Sequence, residues 1–210
     1  MEKSKLNLRI GVLASIVLVA ALSRLLPHPN NVTPVGAMAL FGGAYFVKRW
    51  QSVLLPFIAL WLSDLVLNNV VYKAYNPTFT LISAHSYWTY GAFALVVALG
   101  WVLLKKVKPA NVVVASLVGS TLFFLVTNFG AWYADPFNMY PKGIEGLAAS
   151  YTLGLPYFLN TVVGDLLWCG VLFGGFELAK QIRSRRWLIG VPIRNGCAHF
   201  PLQPAPYGAA

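Results

Sequence analysis

The feature that most constrains this chain is a succession of apolar runs of about bilayer length. Six can be marked, at residues 8–26, 34–47, 52–71, 86–104, 111–133 and 156–179. Five are close to the roughly 20 residues an α-helix needs to cross about 30 Å of hydrocarbon, and 34–47 is short for it. In lipid the backbone has to satisfy its own N–H and C=O groups, so such runs become helices. Only 10% of the 210 residues are charged and 58% are hydrophobic, a profile far from that of a soluble domain. The expectation is an all-α membrane protein with six transmembrane helices in one domain over residues 1–180. Residues 181–210, with several prolines and little periodicity, read as a poorly ordered cytoplasmic tail. The first run follows basic residues as a signal peptide would. It lacks a small-x-small cleavage site and continues into Arg24 and a proline-rich loop, so it is read as a span.

Lysines and arginines set the orientation. With six spans, Lys3, Lys5, Arg9, Lys48, Arg49, Lys105, Lys106, Lys108, Lys180, Arg183, Arg185 and Arg186 fall on one side. Lys73 and Lys142 lie in loops on the other, with Arg24 at the far edge of the first span. That bias predicts both termini in the cytoplasm. The net charge of +10 is then mainly a topology signal, with contact to an anionic lipid bilayer, and not a nucleic-acid footprint. The two cysteines, Cys169 and Cys197, fall in the last span and the tail, which excludes a disulfide framework.

Residues 27–46, PHPNNVTPVGAMALFGGAYF, stand apart from the other runs. Pro29 and Pro34 bracket turn and cap formers, and Pro34 suits a first helical turn. Gly36, Ala37, Ala39, Gly42, Gly43 and Ala44 then supply almost no bulk. In lipid, small residues let neighbouring helices approach to backbone contact, so this short helix is expected at the centre.

Polar residues placed by depth give the candidate site. Asp64 and Asp165 both reach the outer half of the bilayer on this topology, as does Asn128. An intramembrane carboxylate costs roughly 2.5–3.5 kcal/mol on insertion scales, so it is either functional or firmly paired. Trp61, Asp64, Asn68 and Tyr72 share one helical face, as do Tyr157, Thr161, Asp165 and Trp168, and also Thr121, Asn128 and Trp132. Aromatics around polar groups on three outer half-helices predict an outward-facing ligand pocket. Its candidate lining is His28, Asn31, Asp64, Asn68, His85, Tyr87, Asn128, Trp132, Tyr157 and Asp165. The competing reading makes the two acids helix-to-helix ties, through Arg24, Asn128 or a backbone N–H.

Four blocks carry a resemblance: PHPNNVTPVGAMALFGGAYF, SDLVLNN, LFFLVTNFGAW and GLPYFLNTVVGDLLW. Together, over about residues 6–180, they resemble the substrate-binding (S) components of energy-coupling-factor (ECF) vitamin transporters, and more closely the small solitary cobalamin transporters of the BtuM type. The resemblance implies an S-component-like six-helix fold in the cytoplasmic (inner) membrane. It also implies uptake of cobalamin, or a related corrinoid, bound at the outer side under loops one (27–33), three (72–85) and five (134–155). Cobalamin is then the transported ligand, and the protein has no cofactor of its own.

Transporters of this type are similar in using a loop-three cysteine as a cobalt ligand that also assists decyanation. Loop three has no cysteine here, and His85 lies close to where it would stand. Imidazole is a competent cobalt ligand, but it does not donate electrons as a thiolate does. The resemblance therefore implies a metal-contacting His85 without enzymatic activity. Two alternatives stay open. One is an S component for another vitamin, working with a separate ECF-type ATPase module, since the chain has no Walker-type phosphate loop. The other is a membrane enzyme with Asp64 and Asp165 as an acid–base pair.

Overall fold

The computed structural model describes residues 2–74, 78–83, 86–135 and 138–188, with side chains between 9 and 182. Its helices are α1 (Glu2–Leu22), α2 (Val35–Tyr45), α3 (Arg49–Val66), α4 (Ser86–Leu103), α5 (Pro109–Ala134), α6 (Ile144–Cys169) and α7 (Gly175–Leu188). A single 3-10 turn, Ser23–Leu25, follows α1, and π-type turns at Leu67–Val71 and Gly170–Gly174 follow α3 and α6. No strand occurs among the described residues. Four helical stretches are long and apolar enough to cross a membrane: Arg49–Val71, Ser86–Leu103, Pro109–Ala134 and Ile144–Ile182.

The chain divides into two units, Met1–Phe176 and Glu177–Ala210. In the second, the described part is the remainder of α7, where Lys180 lies 2.8 Å from Glu177 one turn away. That exposed pair contributes little to stability.

The first unit is built around α2. Ala37, Met38, Ala39 and Phe41 are wholly buried, and α1, α3, α4, α5 and α6 all pack against this helix. With 11 residues it is about 16 Å long at 1.5 Å per residue, half a bilayer core. Its glycines explain how so many neighbours fit. A Cβ on Gly43 would stand 2.5 Å from the carbonyl oxygen of Val97 and 3.1 Å from the Cα of Gly100 on α4. On Gly42 it would stand 2.9 Å from the carbonyl oxygen of Ser52 on α3. Close approach of backbones thus adds to the burial of Met38, Leu40 and Phe41 as a source of packing.

The outward faces are the apolar ones. Val19, Leu54, Leu95, Val114, Leu159 and Val163 are all exposed, while Ser52, Ser63, Ser116, Ser120 and Ser150 are buried. Threonines on these helices satisfy themselves by donating one turn back, as Thr127 does to Phe123 and Thr161 to Tyr157. Such a polarity pattern suits a hydrocarbon solvent.

Boundaries differ from the sequence expectation in two places. Loop five, expected over 134–155, is short, because α5 runs to Ala134 and α6 starts at Ile144. Pro156 sits inside α6 and does not open it; lost backbone bonds at a proline are tolerated where neighbouring helices cover them. The last helix also continues past 181, as α7 reaches Leu188.

The two ends of the unit have opposite character. At one, Arg9 donates to the carbonyl of Tyr45 (3.4 Å), the Arg49 guanidinium lies over the Trp101 ring at 5.3 Å, and the Trp101 indole donates to Ser52 (2.9 Å). At the other end are 26–34 and the described parts of two further connections, 72–74 with 78–83 and 135 with 138–143.

Candidate functional site

Asp64 lies near the C-terminal end of α3, and two neighbours engage it. The Arg24 guanidinium reaches its Oδ1 at 2.6 Å and the Ser63 hydroxyl at 2.6 Å. The Tyr90 hydroxyl of α4 donates to Oδ2 at 2.9 Å. Arg24 is positioned by the 3-10 turn that ends the first helical run, and Tyr90 by an edge-on ring contact with Phe57 (4.9 Å). The result ties the turn that ends α1 to α3 and α4 through one largely buried ion pair.

Asp165 is 2% exposed. Ser120 of α5 donates to its Oδ2 at 2.7 Å, and the backbone N–H groups of Gly36 and Ala37 bear on the same carboxylate. It thus caps the first turn of α2 from α6, where N–H groups lack helical partners and the helix dipole favours negative charge. Gly36 is required there: a Cβ would stand 2.6 Å from the Asp165 carboxyl carbon. The two acids therefore sit in separate networks, each with partners from the protein.

The three connections are fastened to the helix ends. In 26–34, Asn160 of α6 donates to the Asn30 carbonyl (2.9 Å), and Asn31 adopts a left-handed φ of 63°. A Cβ on Gly164 would lie 2.9 Å from the Cα of Val32, so the loop rests directly on α6. The exposed His28 ring lies 3.0 Å from the Pro29 carbonyl and 3.2 Å from that of Arg24. In 78–83, Thr80 and Asn69 exchange backbone-like hydrogen bonds of 2.8 Å, and the Trp61 indole donates to Leu81 (3.2 Å).

In 138–143, Asp135 accepts from the N–H groups of Met139 (2.8 Å) and Tyr140 (2.9 Å). Lys142 donates to the Trp132 carbonyl at 2.9 Å and covers its ring at 5.9 Å, while the Trp132 indole donates to Pro141 (3.2 Å). Burial alone would raise the Asp135 carboxyl. The N–H donors of Tyr140 and Met139, with the Lys142 ammonium, outweigh it and hold the group below its ordinary 3.8. A lowered value means that the tie is complete above 3.8 and is lost as pH falls through the lowered value. Hydrogen exchange corrected for intrinsic rates is expected to show Met139 and Tyr140 protected at neutral pH and released only in stronger acid. In Asp135→Ala both amides should exchange freely at every pH.

Of the residues expected at a ligand site, Tyr157 and Tyr87 are 48% and 66% exposed. Asn128 donates to the Phe124 carbonyl (2.9 Å), with its oxygen beside Gly154 of α6. Asn68 lies in the π-type turn after α3. Trp132 belongs to an aromatic group with Phe129 and Tyr133, and Trp88 joins Phe129 at 5.6 Å. His85 lies outside the described residues. Sequence reasoning overlooked Tyr90, Asn69, Ser116 and Ser120. The four-residue spacing of the two serines on α5 was the available signal, since it puts both hydroxyls on one helix face.

No curated protein and no solved structure matches the chain. One family does, over residues 4–187. With that stretch covering nearly the whole helical region, the chain belongs to the DUF6580 family, a family of unknown function.

Proposed function

We propose that this protein is a multi-pass transporter, or the substrate-binding component of one, for uptake of cobalamin or a related corrinoid. It would cross the inner membrane six times, α1 and the short α2 included, with both termini in the cytoplasm. The observation that carries the reading is the gathering of three fastened loops at the end opposite Arg9, Arg49 and Trp101. Loops tied at their bases, with exposed aromatics such as Tyr87, Tyr133 and Tyr157 around them, offer flat apolar area beside hydrogen-bonding groups. The apolar outward faces favour a carrier in lipid, and the basic end fits the cytoplasmic side. Any ATP-driven step would come from a separate ECF-type module.

Titrating cyanocobalamin into purified protein in lipid nanodiscs, followed by its visible spectrum, tests the reading. Saturable binding supports it. Binding of a flavin or thiamine but not of cobalamin would transfer the proposal to another vitamin. Failure of all three would remove it.

In the corrinoid reading His85 meets the cobalt. His85→Ala is then expected to weaken cobalamin binding about tenfold, or about 1.4 kcal/mol, and to shift the bound spectrum. His85→Cys should restore affinity. Neutral imidazole is the metal-binding form, so acidification through the ordinary histidine range should weaken the bond. An unchanged spectrum and affinity in His85→Ala would leave recognition to shape and the loops.

A further inference from the structure

The two intramembrane acids differ in one respect that bears on charge. Asp64 has a cation, Arg24, at 2.6 Å. Asp165 has no ion-pair partner among the described residues. Among the described residues, the groups that bear on it are neutral. Helix α2 offers the N–H groups of Gly36 and Ala37. Helix α5 offers Ser120. On α6 itself the polar groups one turn away are the Thr161 hydroxyl, which donates to Tyr157, and the buried Cys169 thiol. Loop one meets α6 through Val32, uncharged, at Gly164. The His28 imidazole in that loop is turned to the carbonyls of Pro29 and Arg24.

The Ser120 hydroxyl has two acceptors within reach, Asp165 Oδ2 at 2.7 Å and the Ser116 carbonyl at 3.0 Å. A hydroxyl carries one hydrogen and serves one of them at a time. When it points at Asp165, the carboxylate is charged and satisfied. When it points at Ser116, two oxygens 2.7 Å apart face each other, and a proton on Asp165 must fill the gap. Both arrangements use the same heavy-atom positions. One turn before Ser120, the buried Ser116 hydroxyl lies against the Cys169 thiol.

We infer that Asp165 and Ser120 form a reversible proton-binding site in the membrane interior. On loading, hydronium from the aqueous phase at the loop-one end gives H⁺ to Oδ2 and leaves as water. The Ser120 proton turns from Asp165 to the Ser116 carbonyl, and the site gains one proton and loses one negative charge. The neutral acid then holds the first turn of α2 less strongly, because charge-assisted hydrogen bonds are about twice as strong as neutral ones. Proton occupancy is thereby linked to the seat of loop one on α6. The inference does not depend on which molecule, if any, the protein carries.

Infrared difference spectra between acid and alkaline buffer, recorded on the full chain in lipid vesicles, read the proton directly. A protonated-carboxyl band should appear on acidification, vanish in Asp165→Asn and persist in Asp64→Asn. Ser120→Ala, which keeps the acid and removes its partner, should shift the frequency of that band. If Asp165→Asn does not fold, carbon-13-labelled aspartate in the unaltered chain gives the same reading through its three carboxyl signals, Asp64, Asp135 and Asp165. A band that survives Asp165→Asn would overturn the inference and leave Asp165 as a permanently charged cap. So would a labelled Asp165 carboxyl that never protonates, or sodium replacing acid in producing the spectral change.

Discussion

Gly43→Leu is expected to abolish folded protein, while Val47→Leu, four residues further on, leaves yield unchanged. The contrast follows from what each new side chain would meet. At Gly43 even the first carbon lies 2.5 Å from the Val97 carbonyl oxygen, and the facing residue, Gly100, has no side chain to move aside. Helices α2 and α4 would have to separate, and α2 also touches four other helices that would lose contact with it. Inserting bulk into a packed core costs roughly 1–3 kcal/mol where neighbours relax, and a backbone obstacle relaxes least. Val47 is 68% exposed and meets no such obstacle. Size-exclusion profiles of the two variants in detergent check this directly. Equal, monodisperse yields would mean that α2 is not the packing centre.

Arg24→Met is expected to produce the second-largest loss, about 3–5 kcal/mol, because it strands the Asp64 carboxylate beside Tyr90 with its cation gone. Asp64→Asn should cost less, since an amide keeps an acceptor for the Tyr90 hydroxyl. The double variant Arg24→Met with Asp64→Leu should recover most of the loss, as replacing a whole buried pair by apolar groups is often neutral or better. Unfolding in detergent of the two single variants and the double one forms a cycle. Strong non-additivity supports a structural tie of the turn that ends α1 to α3 and α4; additive losses would refute the pairing. Ligand titrations on the same proteins separate the tie from a recognition role. Asp64→Asn that keeps its stability but loses affinity would place Asp64 at the ligand as well.

Much of this architecture was legible in the chain because hydrocarbon is a demanding solvent. It forces backbone groups into helices, so Ser86–Leu103 and Pro109–Ala134 stand within two residues of the apolar runs that announced them. The glycine and alanine content of 34–47 likewise announced a helix approached at backbone distance, since small residues serve no purpose facing lipid. Loop five was misjudged because Pro156 looked like a helix start, and a proline covered by neighbouring helices leaves no trace of that cover in one sequence.

That Asp64 and Asp165 lie within apolar helices could be read from their positions in the spans, but their partners could not. Arg24 is 40 residues from Asp64, Ser120 is 45 from Asp165, and Gly36 is further still from it. Periodicity reports which residues share a face of one helix and says nothing of which helix that face meets. The sequence alone therefore determined that this is a helical chain with interior acids and a small-residue centre. Tertiary packing decided that one acid is neutralised by an arginine and that the other, alone in charge, caps the central helix. The physical reason is that the energy of a buried carboxylate depends on donors a few ångströms away, and the chain brings those donors from distant helices.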